Sequence, residues 1–215
     1  MSGWHVERIT GSAGVLHDRE IPSPLTRTIW IFTPERPAVV LGSTQSVEIV
    51  DPDAARSLGA EVVRRRSGGG AVWLEPGGTS WVDVLLPRDD PLWDDDVGRA
   101  VHWLGAAWAG AVGSPAVVHH GGMVCTALSG RVCFAGLGPG EVTADGRKVV
   151  GISQRRTRAG ARFQCVTYDR WDARPLARVL GMDAEAAEAL AESGAGLGKR
   201  LRAVEERLLK SLSSL

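Results

Sequence analysis

The chain has 215 residues, enough for one domain that buries its own core without disulfide or metal staples. Apolar residues make up 44% and charged residues 23%, which excludes a disordered chain. The 25 basic residues balance 25 acidic ones, which excludes a nucleic-acid binder working by bulk charge.

In chain order, the first forty residues are turn-rich, with Pro22, Pro24, Pro34 and Pro37, and MSGWHVERIT lacks the apolar run of a signal peptide. Ala38–Leu41 reads as a buried strand closed by Gly42-Ser43. Asp51 as N-cap, Pro52 in the first turn and Gly59 at the stop predict a helix over 51–58. Residues 61–63, 71–74 and 80–86 read as strands. Residues 94–112 are expected to form the longest helix, with acids in its first turn. The uncharged stretch 100–118 is long enough for a membrane span, but its alanines, its glycines and the Gly113-Ser114-Pro115 break favour a buried small-residue helix. Residues 132–134, 140–143, 148–154 and 163–167 read as strands, with Asp145-Gly146 as a two-residue hairpin turn. From Asp183 the chain is helical, broken at 194–198. The expected fold is a single α+β domain with a mixed, mainly antiparallel sheet flanked by helices. Residues 1–182 form its main body and 183–215 a helical segment packed on it.

Three cysteines, Cys125, Cys133 and Cys165, are too few for a disulfide framework and lack CxxC zinc spacing. They point to a reducing compartment, so a soluble cytoplasmic protein is expected. His119-His120 reads as a turn rather than a metal site, because neighbours on a strand point to opposite faces. Trp103 and Trp108 are expected to pack the long helix onto the sheet, and Cys125 and Cys165 to lie in the core. Only three basic residues are lysines, and Lys148 is alone within the first 198 residues. It reads either as a surface lysine at a turn or as a place where a compact ammonium, able to turn its donors toward an anion, is required.

Two segments carry chemistry. In Arg64-Arg65-Arg66-Ser67-Gly68-Gly69-Gly70-Ala71-Val72, three glycines let backbone N–H groups approach a ligand, and flanking guanidiniums suit phosphate or carboxylate. The loop has neither the GK[ST] ending nor the GxGxxG spacing of familiar phosphate loops. In the second segment, Gly146-Arg147-Lys148-Val149-Val150-Gly151-Ile152-Ser153-Gln154, a regular strand puts Lys148, Val150, Ile152 and Gln154 on one face. Gly151 then lies on the other face, where a ligand or backbone can come close.

RRRSGGGAV, the later GRKVVGISQ, and Val39-Val40-Leu41-Gly42-Ser43-Thr44-Gln45 upstream together resemble the catalytic domain of lipoate–protein ligases, within the wider biotin and lipoate attachment family. The resemblance implies a biotin/lipoate-ligase-like fold, with residues 1–182 as an acyl-attachment catalytic domain. It implies an apolar tunnel for lipoate or octanoate and transfer of that group to a lysine of a carrier. Trp73 and Trp81, which flank the glycine loop, read either as walls of such a tunnel or as core packing. The implied carriers are lipoyl domains of 2-oxoacid dehydrogenase complexes or the glycine-cleavage H protein. Arg65, Arg66, Ser67, Gly68, Gly69, Gly70 and Ala71 would bind the activated acyl group and nucleotide, with Gly151 close by, and Lys148 would contact the acyl carbonyl.

Two mechanisms follow from the resemblance. The SGGGAV loop matches ligases, which use ATP and Mg2+ to form an acyl-adenylate, and this is the favoured expectation. A related branch of octanoyltransferases takes the acyl group from acyl carrier protein onto a cysteine in a Cys-Phe pair, and Cys133-Phe134 stands in such a position. Read without the resemblance, Cys133 is a small buried apolar residue. Arg131-Val132-Cys133-Phe134 replaces the ligases' Arg-Asn-Asp segment, and Trp73-Leu74-Glu75 and Gln164-Cys165 also depart from their pattern. A non-catalytic acyl-binding module is the reading from a different class.

Overall fold

A computed structural model describes residues 3–215. Two sheets lie face to face between helices. The larger is built from β1 (His5–Gly11), β2 (Thr28–Pro34), β6 (Thr79–Pro87), β7 (Val117–Val118), β8 (Val142–Ala144), β9 (Arg147–Arg156) and β10 (Gly160–Tyr168). Its order is β1-β2-β6-β10-β9-β8-β7, antiparallel except for β1 and β2. The smaller sheet is β4 (Glu61–Arg64), β3 (Ala38–Leu41) and β5 (Val72–Leu74), with β3 and β4 parallel. The expected mixed, mainly antiparallel α+β domain is the one observed.

The helices are α1 (Ala13–Asp18), α2 (Pro52–Ser57), α3 (His102–Val112), α4 (Arg174–Val179), α5 (Ala184–Ser193) and α6 (Leu201–Leu212). Helices α3 and α6 cover one face of the large sheet, where Leu104, Trp108, Leu208 and Leu212 pack on Val82, Val84, Val150 and Phe163. The other face meets the small sheet through Trp30, Phe32, Trp81, Val40 and Leu74. Beyond the small sheet lie α2, α4 and α5, with Val39, Trp73, Leu176 and Leu190 in contact. Strand residues alternate between these layers, as the two-residue period requires. No helix of the described residues is long and apolar enough to cross a membrane.

Local signals behaved as chemistry dictates in several places. The Asp51 carboxylate accepts from the N–H groups of Asp53 and Ala54 at 2.9 and 3.0 Å, and Gly59 adopts φ +63°, so α2 starts and stops where expected. Asp145 and Gly146 both take positive φ, 49° and 74°, in the hairpin joining β8 to β9.

Elsewhere non-local contacts prevailed. The helix expected over 94–112 begins only with a 3₁₀ turn at Arg99–Val101. The acids before it fold the chain into tight turns, since Asp96 accepts from the N–H groups of Gly98 and Arg99 and Asp94 from that of Asp96. At 11 residues α3 is also shorter than α6, with 12. The strand expected over 132–134 is instead a 3₁₀ turn, Cys133–Ala135. Helix α4, strands β1 and β2, and the short α1 carried no sequence expectation.

Candidate functional site

The loop after β4 turns inward. Arg65 is buried, and its guanidinium donates to the carbonyls of Gly68 (2.7 Å), Gly70 (2.9 Å) and Val40 (3.3 Å) and to Ser67 Oγ (3.1 Å). Its donors are therefore turned toward the loop itself and toward β3. Arg66 is exposed, pairs with Asp18 at 3.5 Å and lines no part of the site. Gly69 sits at φ +98°, a backbone region that favours glycine.

Gly70 has a different reason to be glycine. A Cβ there would lie 2.5 Å from the Val132 carbonyl carbon and 2.7 Å from the Cys133 nitrogen. This close approach lets Ala71 N–H donate to Arg131 O (2.8 Å) and Cys133 N–H to Ala71 O (2.9 Å). The glycine loop thus docks the Cys133 turn, and those two bonds draw 133–135 out of a strand.

Lys148 faces that turn. Strand β9 carries a bulge: Val142 pairs with Val150 but Thr143 pairs with Lys148, which leaves Val149 unpaired. The extra residue flips Lys148 to the face opposite Val150. It therefore shares the Gly151 face, not the Val150 face that regular alternation predicts. Its buried ammonium donates to Glu141 Oε2 (2.6 Å), Cys133 O (2.8 Å) and Gly136 O (3.2 Å), and Cys133 Sγ is 3.5 Å away. Burial alone would push this ammonium toward losing its proton. The charges of Cys133 and Glu141 outweigh that, and its pKa lies above the ordinary lysine value.

Gly151 completes the arrangement. A Cβ there would meet the Phe134 ring at 3.1 Å, Lys148 Cε at 3.4 Å and Cys133 Sγ at 3.5 Å. The backbone of Lys148 is clamped from behind, where its carbonyl accepts from Ala195 N–H at 2.9 Å in a bridge with Gly194. Trp171 stacks on Phe134, with centroids 4.8 Å apart.

Cys133 stands between two cavities. On one side is an open cleft of about 340 Å³, lined by Gly68, Gly69, Gly70, Glu141, Lys148 and Ser153 among others. On the other is a narrow, mainly apolar pocket between the sheets, lined by Gly151 and walled by Val72, Leu74, Trp81 and Val166. Trp81 lines this pocket, but Trp73 does not: it lies in the cluster formed with α2 and α4, its indole N–H on Glu75 at 2.9 Å. Trp103 and Trp108 pack against the large sheet, the first edge-on to Phe163 at 5.9 Å. Cys165 is buried, whereas Cys125 is exposed and is not the core residue that was expected.

Glu141 is the participant that sequence reasoning missed. Its carboxylate accepts from Gly138 N–H (2.6 Å) and Ile152 N–H (3.0 Å) while holding Lys148. Among the described residues no three His, Cys, Asp or Glu side chains cluster as a metal site. His119 bonds the Gly122 carbonyl at 2.8 Å, and His120 packs edge-on against His102. Glu141 is the sole carboxylate lining the cleft and is engaged by Lys148, so the residues present do not form a dedicated Mg2+ site. The exposed glycine amides beside Lys148 do suit phosphate oxygens of a nucleotide.

The family model for the lipoyl protein ligase A/B catalytic domain matches residues 15–211. No curated protein matches the chain. Among solved structures, a lipoate-protein ligase A bound with ATP superposes with a TM-score of 0.72 at 17% identity, covering 100% of this chain and 85% of that one. A bi-partite lipoate protein ligase from Thermoplasma acidophilum, described with its E2 lipoyl domain, gives 0.74 at 15%, covering 100% and 84%. A T. acidophilum protein with bound lipoic acid gives 0.70 at 15%, covering 99% and 86%. At these identities the likeness is one of fold.

Proposed function

This chain belongs to the lipoyl protein ligase A/B catalytic-domain family, and on that premise we propose that it attaches a lipoyl or octanoyl group to a lysine of a lipoyl carrier domain, by way of a thioester on Cys133. The observation that carries the thioester step is the 3.5 Å approach of the Lys148 ammonium to Cys133 Sγ at the junction of cleft and pocket. The glycine loop alone points to the ATP-dependent branch. A buried ammonium on a partly exposed thiol turns the reading toward the thioester.

In this reading the Cys133 thiolate, paired with Lys148, attacks the carbonyl carbon of an acyl thioester. The bond to the donor sulfur breaks, and the donor leaves as a thiolate that takes its proton from solvent. The carrier's lysine amine then attacks the Cys133 thioester. An amide forms, the amine's proton departs, and the thiolate returns to its ion pair. Lys148 stabilises negative charge on sulfur and on the carbonyl oxygen as it develops. Glu141 positions Lys148 and keeps it protonated. The apolar pocket holds the acyl chain, and the cleft admits the incoming lysine.

A second reading, ATP-dependent ligation, is supported by Gly68 and Gly69 lining the same cleft as Lys148. There the nucleotide would supply an activating adenylyl group, and the loop amides would hold its phosphate. The two separate cleanly by intact mass. Wild-type protein mixed with octanoyl–acyl carrier protein, without ATP, is expected to gain one octanoyl mass on Cys133, and Cys133→Ser to gain none and to lose transfer to an apo lipoyl domain. Acylation of the lipoyl domain that requires ATP and survives in Cys133→Ser would overturn the thioester step and favour the adenylate.

A further inference from the structure

The turn that follows β3, Gly42-Ser43-Thr44-Gln45, touches both segments that carry the chemistry, yet the reaction above gives it no part. On one side it meets the glycine loop. Ser43 N–H donates to Ser67 O at 2.9 Å, and a Cβ on Gly42 would lie 1.8 Å from Gly69 O. On the other side the Gln45 side chain reaches the segment that leads into Cys133. Its Nε2 donates to Gly130 O and to Arg131 O, both at 3.0 Å. Its Oε1 accepts from Gly42 N–H at 2.9 Å, and Gln45 N–H closes the turn on Gly42 O at 3.0 Å.

Gln45 is buried, and its amide is matched at every atom. Reversing the amide would set its oxygen against two carbonyls and its NH2 against an N–H, so one orientation fits. The Arg131 carbonyl accepts twice, from Gln45 Nε2 and from Ala71 N–H at 2.8 Å. Two residues on, Cys133 N–H returns to Ala71 O at 2.9 Å. Among the described residues, Gln45 and Lys148 are the side chains that hydrogen-bond the backbone of 130–133. Lys148 stands on β9 and is clamped separately, through Ala195. The 3.5 Å gap from Sγ to the ammonium therefore depends on where the 130–133 segment is held.

We infer that Gln45 is a positioning residue for the thioester step, holding the Cys133 turn so that the sulfur stays beside the Lys148 ammonium. This rests on the thioester reading of the site. Gln45 bonds neither Cys133 nor Lys148 and lines neither the cleft nor the apolar pocket. The charged and titratable groups around Cys133 are Lys148, Glu141, Arg65 and Tyr168, and none of them bonds Gln45. Without the amide, two carbonyls lose a donor and the turn can shift. Widening the gap to about 5 Å, at an effective dielectric constant of about 20, weakens the attraction between thiolate and ammonium about tenfold in equilibrium terms.

Gln45→Met keeps the length of the side chain and removes the amide. Asp83→Ala, which takes away the carboxylate held by Arg162 on β6 and β10, is the control for lost stability alone. Iodoacetamide alkylation across the pH range, read by mass on the Cys133 peptide, gives the pH of half-maximal rate. That midpoint is expected to rise by about one unit in Gln45→Met and to stay in place in Asp83→Ala. Octanoylation by octanoyl–acyl carrier protein at neutral pH should fall about tenfold in maximal rate, with the half-saturating donor concentration unchanged, and recover toward wild type in alkali. Gln45→Asn, one methylene short, should move the midpoint the same way and serves if the methionine variant does not fold. An unmoved midpoint in a folded Gln45 variant, or an equal rise in Asp83→Ala, overturns the inference. Wild type that takes no octanoyl group on Cys133 overturns the thioester reading instead, while the alkylation midpoint still decides whether Gln45 places the sulfur.

Discussion

Two buried cations divide the work of this fold. Arg162 and Lys148 each face a buried carboxylate at 2.6 Å, Asp83 in one case and Glu141 in the other. The Arg162 fork also donates to the carbonyls of Leu16 (3.1 Å), His17 (3.1 Å) and Arg19 (3.0 Å), tying α1 to β6 and β10. Its flat face lies over Trp30 at 5.1 Å. Every direction the guanidinium offers is used to join elements. Lys148 holds a carboxylate and two carbonyls, yet keeps a sulfur in reach and borders the cleft. Burial dominates at Asp83 and raises its pKa despite Arg162, whereas at Lys148 the surrounding charges win and favour the cation. A planar fork suits a joint. A compact ammonium suits a place where charge appears and disappears.

That contrast can be broken at either end. Asp83→Ala should have the largest effect, because it leaves a guanidinium buried without its carboxylate. A loss of about 3–5 kcal/mol is expected in urea melts, with activity per folded molecule little changed. A melt close to wild type would show that Arg162 is not the joint described.

Lys148→Arg should do the reverse. Transfer is expected to fall ~100-fold, about 3 kcal/mol of transition-state stabilisation, while stability drops less than in Asp83→Ala. Single-turnover acyl transfer measures this, and activity within a fewfold of wild type would remove Lys148 from the chemistry.

The smallest effect is a pH dependence from His17. Its folded-state pKa is depressed, so its contribution to stability is present above the unfolded value of about 6.5 and is lost as pH falls below it. Wild type should therefore lose stability from about pH 7 toward pH 5 more steeply than His17→Gln, in paired urea titrations. Parallel slopes would mean that His17 protonates freely in the fold.

Much of the frame was legible because its signals are local. Asp51, Pro52 and Gly59 bracket α2, Asp145-Gly146 makes its hairpin, and the lone Lys148 announces itself in a chain of arginines. What could not be read depends on partners distant in sequence. Cys133 is drawn into a turn by Ala71, sixty residues upstream, through space that Gly70 leaves open. The bulge at Val149 reverses the face of Lys148, and no residue type there advertises a bulge. Glu141 sits at the start of a strand where it looks like any solvated acid, and His17 joins the pocket only through Gln164 and Trp81. The glycine loop was visible as special, but its inward arginine was not, because Arg65 and Arg66 are the same residue with opposite fates.

The clamp on Lys148 has a consequence in time. Ala195 and Gly194 fix the backbone of a strand made nearly fifty residues earlier, so the ammonium is seated only once that later segment has docked. During synthesis Cys133 and Lys148 are both present in the nascent chain but not yet held together. The approach of sulfur and ammonium therefore depends on the docking of a later segment and not on β9 alone.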